Sequence, residues 1–318
     1  MPQFGRVVTA MVTPMAADGS VDLDVTAELA RWLVDQGNEG IVVCGTTGES
    51  PTLSDAEKLS VLAVVVEAVD VPVIAGTVGA DTAHSVHLTR EAAALGVAGI
   101  LALCPFYNRP SQAGIEGHLR AVAGAADLPN LLYDIPVRTG RKISSEVILR
   151  LAHEVPNIVG VKDAAGSPAA TAHVVSQAPA GFEIYSGDDG FTLPLLAVGA
   201  VGTVGVATHW TAPDHVEMFG RWSAGDTEGA RAVNARMLES FIFETGDDAP
   251  NPIPSKAMLR TLGIHVGQCR APMGPAPAGL ENTARDVYAR LIAARAASGS
   301  TMPTNAPTVT TPSEMIRG

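Results

Sequence analysis

A single lysine at the end of an apolar run is the sharpest chemical signal in the chain. The stretch IVGVKDAAG, residues 158–166, has the pattern of a buried strand and places Lys162 where an ammonium group is poorly hydrated. The other lysines, Lys58, Lys142 and Lys256, lie among polar residues or near turns. Burial favours a neutral amine, and a pKa lowered by about 3 units would provide a nucleophile that forms a Schiff base with a ketone.

Two tyrosines and a threonine offer the acid–base chemistry that such an amine requires. Tyr133, in the run NLLYDIP, can relay protons to and from a carbinolamine if a hydroxyl lies within hydrogen-bond reach, and Thr46 and Tyr107 are the available hydroxyls. Structural alternatives exist: Lys162 can pair with Asp163 or face outward, and Tyr133 can be an ordinary core tyrosine. Adjacent strand residues face opposite ways, which weakens the Asp163 pairing.

Two further groups suit the carboxylates of small acids. Thr46, Thr47 and Gly48 form a hydroxyl-rich turn whose backbone N–H groups can hold an anion. Arg138 can bind a second carboxylate through two hydrogen bonds. The alternatives are a turn that simply ends a strand and an arginine paired with a surface aspartate.

Composition narrows the class of protein. The 318 residues are 47% apolar and 17% charged, which is ordinary for a globular protein, and the net charge of −12 argues against nucleic acid or an anionic membrane as partner. The N-terminus lacks the pattern of a signal peptide, and no apolar run is long enough to span a bilayer. Three cysteines without paired spacing suit a reducing compartment, so a cytoplasmic protein is expected.

Eight apolar runs alternate with segments of helical spacing, and they predict a (β/α)8 barrel. The runs are continuous, as in parallel strands that are covered on both faces, and no GxGxxG follows the first. They are VVTAMVTP from residue 7, GIVVCGTTGE from 40, PVIAGTV from 72, GILALCP from 99, NLLYDIP from 130, IVGVKDA from 158, FEIYSGDD from 182 and GTVGVATH from 202. Ser54, Asp81 and Ser144 are the predicted caps of the helices that follow them.

The predicted domain organisation has three parts. Residues 1–224 form the catalytic barrel, and residues 225–298 form a C-terminal helical region that packs on the barrel or on a neighbouring subunit. Residues 299–318 are rich in Thr and Pro and are expected to be a mobile tail. In such a barrel the chemistry lies at the carboxyl ends of the strands, where all the candidate residues fall.

Five motifs, in this order and spacing, resemble the dihydrodipicolinate synthase/N-acetylneuraminate lyase family of class I aldolases. They are GTTGESPT (45–52), PFYNRPSQ (105–112), YDIPVRTG (133–140), GVKDA (160–164) and SGDD (186–189), within a similarity that covers roughly residues 5 to 295. The arginine of YDIPVRTG and the GTTGES form favour condensation of pyruvate with aspartate semialdehyde, on the route to diaminopimelate and lysine.

The resemblance implies a role for each candidate residue. Lys162 forms the imine with pyruvate, and Tyr133 exchanges protons with Thr46 and with Tyr107 of a partner subunit. The substrate-binding residues are Thr47 and the Val204 backbone for the pyruvate carboxylate, Gly187, and Arg138 for the carboxylate of the semialdehyde. The resemblance also implies a homotetramer built from dimers, and a reaction that needs neither a metal nor an organic cofactor.

Four positions depart from relatives in the family. Phe106 replaces a second tyrosine outside the proton relay, so catalysis is expected to be intact. Ala80, His84 and Lys58 stand where lysine-inhibited relatives carry Asn, Glu and His, which predicts weak or absent inhibition by lysine.

Two other functions are consistent with the fold. An aldolase for 2-keto-3-deoxy sugar acids or sialic acid would share the Schiff base, but a polyol acceptor gains little from Arg138. A non-catalytic barrel that binds a metabolite would have no need for Lys162, Tyr133 and Thr46, all of which are present.

Overall fold

The computed structural model describes residues 1–299 and has a closed barrel of eight parallel strands, each paired with its neighbours in chain order. This confirms the predicted (β/α)8 architecture, and every predicted run supplies one strand. The strands are β1 Val7–Ala10, β2 Gly40–Val43, β3 Val73–Ala75, β4 Gly99–Leu103, β5 Asn130–Asp134, β6 Ile158–Asp163, β7 Glu183–Ser186 and β8 Gly202–Gly205. The predicted tail, apart from its first residue, lies outside the described residues.

Helices follow the strands and surround the barrel. They are α1 Leu23–Asp35, α2 Asp55–Ala68, α3 Thr82–Ala94, α4 Gln112–Ala123, α5 Pro136–Thr139, α6 Ser145–Glu154, α7 Pro168–Gln177, α8 Thr192–Leu196, α9 Thr208–Ser223, α10 Thr227–Glu244, α11 Ile253–Thr261 and α12 Leu280–Ala297. Among residues 1–299, no helix is both long enough and apolar enough to cross a membrane.

The three predicted helix caps are confirmed. Asp81 and Ser144 each accept a hydrogen bond from a backbone N–H in the first turn of the following helix. Ser54 forms a capping box with Glu57, in which each side chain accepts from the other residue's backbone. These caps fix where α2, α3 and α6 begin, and so where the loops from β2, β3 and β5 must end.

Two apolar layers fill the molecule on either side of the strands. In β2, Val42 belongs to the cluster inside the barrel, whereas Ile41 and Val43 belong to the layer between the strands and the helices. The same alternation in the other strands makes both faces of the sheet apolar, which explains why the runs read as continuous. The interior cluster also includes Val8, Ile74, Leu131, Tyr133, Tyr185 and Val204.

The helices after β8 form a second apolar cluster. Helices α9 to α12 pack together around Trp210, Met237 and Leu291, and a buried ion pair joins Arg295 to Asp214 of α9. Between residues 226 and 299 the structure has three helices, and they pack on this chain's own barrel. The boundary between residues 224 and 225 stays a prediction, because α9 belongs to both packing layers.

A buried ion pair ties the helical region to the loop after β2. Lys256 Nζ lies 2.6 Å from Glu49 Oε1 and donates to the carbonyl of Gln268, while Glu49 also accepts from the backbone N–H of Arg270. Lys256 is 0% exposed, although its place among polar residues in the sequence gives no sign of burial. Its neighbours in sequence are polar or helix-forming, and the burial comes from contacts some 200 residues away.

We expect Lys256→Met to lower the free energy of unfolding by about 3–5 kcal/mol, because it leaves the Glu49 carboxylate buried without its cation. The matched control is Arg290→Met, which breaks the exposed pair with Glu239 and should cost about 0–1 kcal/mol. Equilibrium urea unfolding at one protein concentration measures both. Equal effects of the two substitutions would contradict the assignment of Lys256 as an anchor.

Candidate active site

The sheet register places the two central candidate residues side by side. Tyr133 of β5 and Lys162 of β6 are directly paired positions, so their side chains point to the same side, into the barrel. The Lys162 amine lies 4.3 Å from the centroid of the Tyr133 ring. Both side chains are buried near the carboxyl ends of their strands.

Lys162 is buried without a counter-ion. It is 3% exposed, and among residues 1–299 it takes part in no salt bridge within 4 Å. Burial lowers its pKa to about 8; Asp189 and Glu244 act in the opposite direction, and the charge of Arg138 adds to the lowering. With that pKa, about a quarter of the molecules carry the neutral, nucleophilic amine at pH 7.5.

Asp163 does not pair with Lys162. Its carboxylate accepts from the backbone N–H of Ala165 at 2.9 Å and from Thr171 Oγ1 at 2.6 Å, so it faces helix α7 outside the barrel. The structural alternative for Lys162, a pair with its neighbour, is therefore excluded. The alternation of side chains along β6 separates the two groups, as the sequence predicts.

Gly187 leaves room for the lysine side chain. A Cβ at this position would lie 2.9 Å from Lys162 Cγ and 3.0 Å from Lys162 Cε, closer than such atoms approach in proteins. The Gly187 N–H also donates to the Asp163 carbonyl at 2.8 Å, which fixes the start of the loop after β7. Any side chain at residue 187 would press on the lysine stem.

The turn after β2 presents free backbone donors. Thr46 accepts from the N–H of Glu49 at 3.0 Å, and both Cys44 and Glu49 have positive φ angles, 58° and 57°, which curl the loop over the strand end. In the described chain, no hydrogen bond uses the N–H of Thr46 or Thr47. Asn251 Nδ2 donates to Thr47 Oγ1 at 2.9 Å and orients that side chain. The turn can therefore bind a carboxylate through its N–H groups.

One cavity of about 450 Å³ opens beside these groups. Its lining includes three of the predicted site residues, Thr46, Tyr133 and Arg138, together with Phe106 and Lys58. Burial raises the pKa of the Tyr133 phenol, so the hydroxyl keeps its proton at neutral pH and can donate it. The cavity has a neutral acid, an amine of lowered pKa beside it and an arginine at the rim, which suits addition of an amine to the carbonyl of a small anionic acid.

Tyr107 is not brought into this cavity within one chain. Its side chain is 93% exposed and its φ angle is +69°, which a tyrosine rarely adopts. No hydrogen bond joins the Tyr107 hydroxyl to Tyr133 among the described residues, and its role in the proton relay, expected from a partner subunit, stays a prediction.

Val204 and Asp189 shape the last side of the site. Val204 is fully buried in β8, and Asp189, just after β7, accepts from the N–H groups of Val206 at 2.7 Å and Ala207 at 3.3 Å. A Cβ at Gly205 would lie 2.4 Å from Asp189 Oδ1, so the carboxylate packs directly against the end of β8. Asp189 thus holds the strand end next to Lys162.

Sequence reasoning missed three residues that complete the site. Asp189 is the last residue of the SGDD motif, and its position directly after β7 places it among the strand ends where the chemistry is expected. Glu244 and Asn251 lie in the C-terminal helical region, far in sequence from the strand ends at which the barrel fold predicts functional residues. Their approach to the strand ends depends on tertiary packing that no local pattern reports.

The chain was compared with known proteins. The model of the Dihydrodipicolinate synthetase family matches residues 3–291. A 4-hydroxy-tetrahydrodipicolinate synthase of Symbiobacterium thermophilum is 48% identical over 291 residues, which cover 91% of this chain and 98% of the relative.

Solved structures that resemble this chain belong to the same family as the relatives found by sequence. A dihydrodipicolinate synthase from Bacillus anthracis superposes with a TM-score of 0.87 at 39% identity, over 91% of this chain and 99% of the other. A homologue from Cyanidioschyzon merolae, solved with lysine bound, gives a TM-score of 0.88 at 40% identity over 92% and 99% of the two chains. With a family match over residues 3–291 and the same fold in solved relatives, the chain belongs to the dihydrodipicolinate synthetase family.

Proposed function

We propose that the chain condenses pyruvate with L-aspartate 4-semialdehyde to 4-hydroxy-tetrahydrodipicolinate, a step toward diaminopimelate and lysine. One observation carries the proposal: Lys162 is a buried lysine without a counter-ion, held against Tyr133 at the carboxyl end of the barrel. The 4-hydroxy-tetrahydrodipicolinate synthases among its relatives support the choice of reaction. The activity is that of a carbon–oxygen lyase with a class I aldolase mechanism.

The first stage is formation of the imine. The neutral amine of Lys162 attacks the ketone carbon of pyruvate, and the Tyr133 hydroxyl protonates the developing alkoxide, which gives a carbinolamine. The proton released by the amine nitrogen returns to Tyr133 through Thr46, which lies in the same cavity. Tyr133 then protonates the hydroxyl of the carbinolamine, which leaves as water and gives the protonated imine.

The second stage makes the carbon–carbon bond. The imine loses a proton from the methyl group and becomes an enamine, with the nitrogen as electron sink. The enamine carbon attacks the aldehyde of the semialdehyde, whose oxygen takes up a proton. The amino group of that substrate then adds to the imine carbon and displaces Lys162, which closes the ring and restores the free amine.

The two carboxylates bind at opposite sides of the cavity. The free N–H groups of Thr46 and Thr47 and the backbone of Val204 hold the pyruvate carboxylate, and Gly187 lines the space beside Lys162. Arg138, exposed on the short helix α5 at the cavity rim, receives the carboxylate of the semialdehyde. An arginine at this place favours an anionic acceptor over a sugar.

A second copy of the chain completes the proton relay. Tyr107 and Val137 are both strongly exposed, at 93% and 86%; Tyr107 lies in the loop after β4 and Val137 on the short helix α5, both at the carboxyl end of the barrel. Burial of these side chains against a partner subunit would bring the Tyr107 hydroxyl to the partner's Tyr133, and a homotetramer would contain two such dimers. A cytoplasmic location fits the three free thiols, of which Cys44 and Cys104 are buried.

Borohydride reduction in the presence of pyruvate should attach one pyruvate to the wild type and to Lys58→Ala, and none to Lys162→Ala. Lys58 is the matched control because it lines the same cavity. Intact mass and peptide mapping locate the adduct. An undiminished adduct on Lys162→Ala would refute the Schiff base.

The rate of trapping should depend on pH through the amine. Because the folded pKa of Lys162 is about 8, we expect the rate to rise about tenfold per pH unit well below pH 8 and to level off above it. A rate that keeps rising to pH 10 would show an unperturbed lysine.

Arg138→Leu should lower kcat/KM for the semialdehyde by about 10- to 100-fold, the loss expected for a charge-assisted hydrogen bond, with little change in KM for pyruvate. Arg138→Lys should have a kcat/KM for the semialdehyde between those of the wild type and Arg138→Leu, because lysine keeps the charge but cannot form the two parallel hydrogen bonds. Arg141→Leu, a few residues further along the chain, is the control. Steady-state turnover measures all three, with glyceraldehyde as a neutral acceptor. A larger loss with glyceraldehyde than with the semialdehyde would favour a sugar-acid aldolase.

Free lysine should not inhibit below about 1 mM. Lys58 places an ammonium in the cavity lining, and the His84 ring is engaged 2.7 Å from Asp55, so a cationic amino acid meets a positive charge there. Turnover with added lysine tests this, with the Cyanidioschyzon merolae relative, solved with lysine bound, assayed in parallel. Inhibition at sub-millimolar lysine would contradict it.

A further inference from the structure

Two buried carboxyl groups meet next to Lys162. Asp189 follows β7 and is 1% exposed, and Glu244, the last residue of α10, is 5% exposed. Helix α10 packs against the turn that begins at Asp189, so the two carboxyl groups are close enough to interact, and both favour the charged form of Lys162. A contact between two carboxylates is repulsive unless one of them carries a proton.

The hydrogen bonds around Asp189 leave one oxygen without a donor. Oδ2 accepts from the N–H groups of Val206 and Ala207, whereas Oδ1 lacks any partner in the described chain. Glu244 Oε2 likewise lacks a partner. A single proton on Glu244 satisfies both oxygens, since the carboxyl then donates and Asp189 Oδ1 accepts.

Neither nearby histidine can be the donor. His215 Nδ1 is the ring nitrogen that has partners, since it lies 3.1 Å from the carbonyl of Thr211 and 3.2 Å from the Thr211 hydroxyl. Nε2 of His215 is 4.0 Å from Asp189 Oδ1, which is beyond hydrogen-bond length.

His209 cannot donate to Asp189 either, because both of its ring nitrogens already have partners. Its Nδ1 donates to the Val206 carbonyl at 2.7 Å, and its Nε2 accepts from the N–H of Val12 at 3.2 Å. Burial lowers the pKa of His209 to about 4 and also lowers that of His215, so both rings are neutral.

We propose that Glu244 is protonated at neutral pH and donates to Asp189 Oδ1, acting as a positioning residue that fixes the end of β8 and leaves one negative charge beside Lys162. The consequence for catalysis rests on the function proposed above. Burial and the adjacent Asp189 also raise the pKa of Glu244 well above its ordinary value.

The proton on Glu244 matters because of what surrounds Asp189. The titratable groups that face it are Lys162 on β6, Asp188 beside it, His209 and His215 on α9, and Glu244 on α10. A second buried anion would stabilise the ammonium form of Lys162 and reduce the supply of free amine. The remaining anion still offsets the positive charge of the imine after it forms.

Two isosteric variants of the full-length protein separate charge from hydrogen bonding. Glu244→Gln keeps a donor of the same length, and Glu244→Met keeps the size but has no donor. The pH dependence of pyruvate trapping by borohydride reports the Lys162 amine. We expect all three proteins to share one midpoint, within about 0.2 pH unit, because residue 244 is neutral in each. Trapping should be near the wild-type rate in Glu244→Gln and at least about tenfold slower in Glu244→Met.

Three results would overturn the proposal. A midpoint that moves to lower pH in both variants would show that Glu244 is an anion in the wild type. Equal rates in the two variants would show a packing role alone. Failure of Glu244→Gln to fold would also contradict it, because the amide preserves both the size and the donor.

An infrared difference spectrum provides a readout that is independent of activity. Wild type minus Glu244→Gln at pH 7.5 should contain the carbonyl band of a protonated carboxyl group that shifts in D2O; absence of that band would refute the proposal. If wild type forms no adduct with pyruvate, the proposed function fails, while this spectrum still decides the protonation of Glu244.

Discussion

The desolvation of one amine governs the arrangement of the site. Two lysines are fully enclosed in this protein, and they differ in what surrounds them. Lys256 lies 2.6 Å from a carboxylate and serves as a structural anchor, whereas Lys162 lies against an aromatic ring with no ion pair among the described residues. Burial alone is therefore compatible with either role. The absence of an ion pair within 4 Å among the described residues is what makes Lys162 suitable for nucleophilic chemistry, since a paired ammonium would keep its proton.

The C-terminal helices do more than cover the barrel. Asn251 orients Thr47, Lys256 anchors the loop that carries Thr46 and Thr47, and Glu244 reaches Asp189 at the opposite strand ends. The region after β8 therefore contacts both halves of the site. Loops at strand ends supply the groups that bind and react, and the added helices hold those loops in place.

Much of this could be predicted from sequence because the relevant signals are local. Continuous apolar runs locate the strands, side-chain caps locate the starts of helices, and a lysine at the end of a strand stands out against its neighbours. The burial of Lys256 and the contribution of Asn251 could not be predicted this way, since they depend on contacts between residues some 200 positions apart. The role of Tyr107 in the proton relay stays a prediction, because it needs a second chain.

Gly187 matters to the active site because glycine has no Cβ atom. The stem of Lys162 passes so close to residue 187 that even one methyl group would displace it. Because residue 187 lacks a Cβ, the lysine stem fits against the loop after β7 without displacing it. The size of this one residue therefore limits where the reactive nitrogen can lie in the barrel.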